Sequence, residues 1–366
     1  MKSMKNVKLI ALLVIICLVV FGSNCIFDEG VMEEENEKER VELKVIHAGS
    51  LIVPFGEIED AFEKEHPGVD VLLEGHGSIQ AIRHITDLEE EYDVVAVADE
   101  SLIPALMYPK YADWYVRFAR NQVVIAYSNQ SKYAQEINQT NWYQILARPD
   151  VRFGFSNPMF DACGYRTLTL IPLAEQYYGN DTIFQDLVAR NFDPQLQLIK
   201  SSGCTDEDSC NLTVVVPEIF RPRSEKLAVR GSSVQLIAML EYAALDYIFE
   251  YKSVAKQHGL RYLELPPEID LSNPELSHIY EKATVLLGFQ RFKTVGIKRE
   301  GKPIFYGITV PKSAPHPDLG QEFVQFVISE KGREVLDAAH QPTIWPLVEG
   351  RERAPEEVKA IAGDLG

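Results

Sequence analysis

From residue 41 onward, short apolar runs alternate with amphipathic stretches of helical period. "VELKVIHA" (41–48) predicts a strand, and "PFGEIEDAFEKEHPG" a helix with Pro54 in its first turn and Ile58, Ala61 and Phe62 on one face. "VDVLLEG" reads as a strand. "SIQAIRHITDLEEE" reads as a helix turning Ile79, Ile82, Ile85 and Leu88 inward, and "YDVVAVAD" as a third strand. Such a βαβαβ run implies a parallel sheet with right-handed crossovers.

The theme repeats further on. "NQVVIAYS" (121–128), "VRFGFSNP", "SEKLAVRG", "LDYIFEYKS" and "GKPIFYGITVPK" are strand-like. "NWYQILAR", "CGYRTLTLIPLAEQYYG", "SSVQLIAMLEYAA" and "PDLGQEFVQFVISEKGREVLDAA" have helical patterns, the last as one or two helices. Residues 200–224 read as an irregular acidic insertion. With 366 residues, two lobes are expected. The segments 121–128 and 304–311 lie far apart and suit crossovers between lobes. The expected division is a discontinuous lobe one, 41–123 plus 310–350, a lobe two over 124–309, and a C-terminal tail, 351–366. The alternative is two sequential domains split near residue 130.

The N-terminus has a different pattern. Lys2, Lys5 and Lys8 precede the apolar run "LIALLVIICLVVF" and then "GSNC". Residues 1–24 thus have the layout of a signal peptide, or of a membrane anchor, and predict export to the cell surface or beyond. Cys25 is a candidate lipidation site, although Asn24 is bulkier than the residue usual before such a cysteine. Residues 25–40 are an acidic tether with little to bury. Cys204 and Cys210 flank "TDEDS", and a small disulfide there suits an exported protein. Sequons at Asn129, Asn138, Asn180 and Asn211 are short enough to arise by chance.

Composition narrows the partners. The net charge is −18, becoming −21 if residues 1–24 are removed, since they carry three lysines and no acids. Nucleic acid, which needs a basic footprint, is excluded as an expected partner. Any site for a small anion must therefore be local.

Local anion chemistry is present where strands end and helices begin. Gly49-Ser50, Gly77-Ser78, "DACG" (161–164) and Ser232-Ser233 each sit at such a junction. Ligands of open α/β sheets bind outside the carboxyl ends of the strands. Helix N-termini there present unpaired N–H groups with positive partial charge. Taken singly, each serine or aspartate is better explained as a helix cap than as a ligand contact; it is their combination that points to an anion. A Ser50–His47–Asp99 triad would be the enzymatic alternative, but nothing in the spacing aligns base and nucleophile. There is no G-x-S-x-G, phosphate-loop or H-E-x-x-H motif.

"HAGSL", "EKEHPGVDV", "DVVAVAD", "RNQVVIAYS", "FGFSNP", "CGYR", "LDYIFEYKSVAKQHGL" and "ITVPKSAPHP" together make residues 43–345 resemble the archaeal tungstate/molybdate-binding proteins of ABC importers. The resemblance implies a type II periplasmic-binding-protein fold: two α/β lobes joined by a two-strand hinge, closing over one oxyanion. It implies a monomer with no cofactor and no catalysis, whose cargo, molybdate or tungstate, passes to a membrane permease with its ATPase. Implied ligand contacts are Gly49, Ser50, Ser78, Asp161, Ala162, Cys163, Ser233 and Tyr251, with the Asp161 carboxylate approaching the cargo metal. The chain departs from the family pattern at one point. Where a second carboxylate, a glutamate, is expected, "SEKLAVRGSSV" places Ser233, and Glu225 lies eight residues too early. The expectation is that Ser233 donates a hydrogen bond to an oxo group. Another tetrahedral oxyanion, such as sulfate, is the alternative cargo.

Overall fold

The computed structural model describes residues 40–201, 210–288 and 298–366. The signal segment 1–24, the tether up to residue 39, Cys25 and Cys204 lie outside the described residues. Cys210 is disulfide-bonded.

A seven-stranded sheet runs in the order Gly363–Asp364, Thr343–Glu349, Tyr115–Arg120, Phe305–Thr309, Val94–Val97, Val41–Ala48, Val69–His76. Val41–Ala48 is parallel to both of its neighbours. From it the chain steps one way to Val69–His76 and then back across to Val94–Val97. With the right-handed crossovers that parallel strands favour, these opposite steps place helices Ile52–Glu65 and Ser78–Thr86 on opposite faces of the sheet. The central strands therefore read as continuous apolar runs: Val94–Val97 is buried throughout. Phe55 and Phe62 from the first helix meet Phe323 from helix Pro317–Ile328, with ring centroids 6.1 and 5.2 Å apart. Ile79, Ile82 and Ile85 point inward from the second helix. Leu88 does not; that helix ends at Thr86, before the apolar face returns, and Leu88 is exposed.

A second, five-stranded sheet runs Leu227–Arg230, Phe153–Ser156, Tyr247–Tyr251, Val123–Tyr127, Arg261–Glu264. Its first three strands are parallel, and Val123–Tyr127 is antiparallel to both neighbours. Helix Ala162–Tyr178 is buried almost all round and ends at Gly179, whose φ of +61° is the left-handed conformation open to glycine. A third sheet of four strands corrects the reading of 200–224 as irregular. The β-branched run "LTVVV" (Leu212–Val216) pairs in parallel with Ala283–Leu287 and antiparallel with Gln197–Lys200. That pairing joins segments about seventy residues apart, which local pattern does not reveal.

The seven-stranded sheet draws on residues 41–120 and 305–364. Its second segment starts at Phe305, ahead of the expected residue 310. The stretch expected as a tail supplies helix Glu356–Ile361 and edge strand Gly363–Asp364. The chain passes between the two sheets through Asn121-Gln122 and returns through Ile304, side by side, with the Asn121 amide donating to the Ile304 carbonyl at 3.2 Å.

Candidate functional site

The carboxyl ends of the two sheets face each other, and the expected site residues lie on both faces. Gly49 and Ser50 form a short 3-10 turn leading into helix Ile52–Glu65. Gly77 precedes helix Ser78–Thr86, and Asp161 precedes helix Ala162–Tyr178. Neither Ser50 nor Ser78 makes a side-chain cap bond to its helix. The cap explanation available from sequence thus fails at these positions. Ser50 Oγ bonds the Tyr306 hydroxyl at 2.9 Å, and Ser78 Oγ accepts from the Ala98 amide at 3.0 Å.

The two faces touch. A Cβ on Gly49 would lie 2.4 Å from Ser232 Oγ, and one on Gly77 would lie 2.4 Å from the Phe160 carbonyl oxygen. That oxygen accepts from the amides of Ile79 (3.0 Å) and Gln80 (3.2 Å). First-turn donors of one helix are thereby satisfied across the cleft, so the arrangement is closed. Glycine at 49 and 77 is what permits this approach.

On the second face, Asp161, Ala162, Cys163, Ser233 and Tyr251 come together and are all buried. The Ser233 amide donates to Asp161 Oδ2 at 2.9 Å. The Ser233 hydroxyl donates to Glu250 Oε1 at 2.9 Å, which also accepts from the Tyr251 amide at 2.7 Å. Glu250 is wholly buried and its Oε2 has no hydrogen-bond partner among the described residues. A second carboxylate therefore does stand in this wall, one residue before Tyr251. The signal that could have found it is the charged residue inside the apolar strand "YIFEY", since a charge there needs a partner or a function.

Burial shapes the electrostatics. It raises Asp161, opposed by the Ser233 amide, and it pushes Glu250 up to about 8, opposed by hydrogen bonds from the Tyr251 amide and the Ser233 hydroxyl. The Cys163 thiol is driven up by burial and then by the Glu250 and Asp161 charges, and it donates to the Phe249 carbonyl. Cys163 is therefore a neutral wall residue and not an activated thiol.

One cation backs this wall, and the sequence reading missed it. Arg166 lies one helical turn beyond Asp161–Cys163; its Nη1 donates to the Tyr251 hydroxyl (2.6 Å) and to the Ala98 carbonyl (2.5 Å). It lies 3.8 Å from Asp99, which also accepts from the Tyr165 hydroxyl at 2.6 Å. Asp99 is held below the usual carboxylate range: Lys302, Arg166 and the Tyr165 bond together outweigh its burial. These contacts join the first sheet (Ala98, Asp99) to the second (Tyr165, Arg166, Tyr251).

His47, Ser50 and Asp99 do not form a triad. His47 Nδ1 bonds the Ala48 carbonyl, Ser50 bonds Tyr306, and Asp99 bonds Tyr165 and Ser101. Burial lowers His47 to about 4.

Residues 43–340 match the family model described as bacterial extracellular solute-binding protein. The chain belongs to this solute-binding family. A solute-binding protein of Methanoculleus marisnigri is 44% identical over 88% of this chain and 87% of its own length. The molybdate/tungstate-binding protein WtpA of Pyrococcus abyssi is 40% identical over 90% of this chain and 92% of its own. In fold the chain is similar to the periplasmic molybdate-binding protein of Azotobacter vinelandii, with a TM-score of 0.52 at 15% identity over 81% of this chain and 97% of that one. The sulfate-binding protein SubI of Mycobacterium tuberculosis gives 0.51 at 11% identity over 88% and 90%. The architecture of this solute-binding protein is thus the periplasmic-binding-protein fold, two α/β lobes with a cleft between them.

Proposed function

We propose that this solute-binding protein captures a tetrahedral metal oxyanion, molybdate or tungstate, between its two lobes and passes it to an ABC permease driven by an ATPase. It does so outside the cell as a non-enzymatic monomer carrying no cofactor. The lobes rock about the paired crossings at Asn121–Gln122 and Ile304, and the anion stabilises the closed form. Neutral donors at Gly49, Ser50 and Ser78 face Asp161, Ala162, Cys163, Ser233 and Tyr251.

The observation that carries this reading is the pair of buried carboxylates, Asp161 and Glu250, joined through Ser233. A carboxylate beside a dianion is repulsive unless it is protonated or bonds the central atom. Molybdenum and tungsten can accept extra oxygen ligands; sulfur in sulfate cannot. The Asp161 carboxylate is assigned to the cargo metal. Ser233, expected to donate to an oxo group, instead spends its hydroxyl on Glu250, which leaves the free Glu250 Oε2 to face the cargo. The 40% identity to a protein named for molybdate and tungstate supports the same class.

Calorimetric titration with molybdate, tungstate, sulfate and phosphate tests this. Saturable one-to-one binding of the first two is expected, with X-ray absorption showing more than four oxygen neighbours on the bound metal. No saturable heat with any of the four would overturn the receptor reading. Tight sulfate binding alone would favour the second reading, in which a protonated Glu250 donates to an oxyanion that cannot expand its coordination.

A further inference from the structure

The edge strand Val69–His76 ends in a cluster separate from the oxyanion donors. Alternation along the strand puts Glu74 and His76 on one face, and helix Ser78–Thr86 brings His84 beside them. One ring nitrogen from each histidine and one Glu74 oxygen lie within 4.8 Å of one another. The imidazole centroids are 4.4 Å apart, and both rings are largely enclosed. His76 Nε2 is 2.6 Å from Glu74 Oε1, and His84 Nδ1 is 2.6 Å from Glu90 Oε2. The Tyr92 hydroxyl donates to Glu74 Oε2 at 2.6 Å and reaches Glu90 Oε2 at 3.3 Å.

We propose that Glu74, His76 and His84 bind one divalent transition cation of borderline softness, with zinc as the representative ion. Two imidazoles and a carboxylate suit zinc, nickel or cobalt and disfavour magnesium and calcium, which take oxygen ligands. A tetrahedral ion with bonds near 2.1 Å separates its ligands by about 3.4 Å, so small side-chain shifts suffice. Glu90 is placed to orient His84 through its second ring nitrogen, and Tyr92 to orient Glu74, as supporting groups do in metal sites. Half-exposed Glu74 leaves a coordination position open to water. The neighbouring Glu89 and Glu91 and the net charge of −18 add a field that attracts cations. Bound there, the cation ties the end of the edge strand to the helix that begins at Ser78. The proposal is independent of the oxyanion reading.

Untagged full chain, stripped of metal by chelator and kept in mild detergent, is titrated with zinc by calorimetry. One saturable site is expected, and cobalt should give the intense visible absorption of a four-coordinate ion. His76→Ala and His84→Ala should each weaken zinc binding at least 100-fold, and Glu90→Gln about 10-fold. His84→Asn, conservative and near the surface, keeps the test open if an alanine variant fails to melt cooperatively. Absence of saturable zinc binding, or undiminished affinity in the folded histidine variants, overturns the site.

Discussion

The two faces of the cleft solve the same problem with opposite chemistry. The lobe-one face, Gly49, Ser50 and Ser78, is neutral, and its hydroxyls are already fixed on Tyr306 and the Ala98 amide. The lobe-two face holds two buried carboxylates, a neutral thiol and a tyrosine backed by Arg166. On the proposed reading, one face supplies shape and partial charge, and the other decides which anion can stay and in what protonation state. The two faces meet where Gly77 lies against Phe160 and Arg166 against Ala98.

The comparison can be broken most severely at the contact between the faces. Gly77→Ala puts a methyl 2.4 Å from the Phe160 carbonyl oxygen. Blocked closure should cost at least about 100-fold in molybdate affinity, about 2.7 kcal/mol. Circular dichroism should stay native, because the lobes fold without closing; calorimetric affinity within threefold of wild type would refute the contact. On the charged face, Asp161→Ala removes the acceptor of the Ser233 amide, a loss of about 1–3 kcal/mol, and also the carboxylate assigned to the cargo. About 30-fold weaker molybdate binding is expected, with a lower melting temperature; wild-type affinity would remove Asp161 from the site.

Glu250 separates the faces by pH. Its folded value near 8 exceeds the ordinary 4.5, so between these pH values the folded chain holds a proton that the unfolded chain has released. This contribution lowers stability as pH rises from 4.5 to 8. Glu250→Gln should therefore flatten the decline in melting temperature across that window. The smallest change is expected on the neutral face. Ser50→Ala loses one hydroxyl partner of Tyr306, about 1 kcal/mol, and should weaken binding several-fold with no new pH dependence.

Much of the fold was legible because strand and helix periods are local. The βαβαβ start, Pro54 in a first turn and Gly179 closing its helix all follow from neighbours in sequence. The break between helices Pro317–Ile328 and Glu330–Ala338 is also local, since Ser329 accepts from the Gly332 amide and caps the second. Glu250 was obscured by its position beside Tyr251. Successive strand residues point to opposite faces, but a central strand is buried on both, so sequence alone does not say which face meets the cleft. Arg166 reads as an ordinary helical arginine until Ala98 and Tyr251, both more than sixty residues away, are brought to it.

By itself the sequence determined where chemistry could occur: at the glycine–serine turns where apolar strands give way to helices, since turn conformation and exposed first-turn amides are local properties. Only the tertiary structure decided what each group does there. Ser78 serves Ala98 and not its own helix, Ser233 bridges two carboxylates, and the chain's second passage between sheets begins its strand at Phe305. The reason is physical. A buried charge or hydroxyl is defined by its desolvation and its partners, and here those partners arrive from distant segments of the chain.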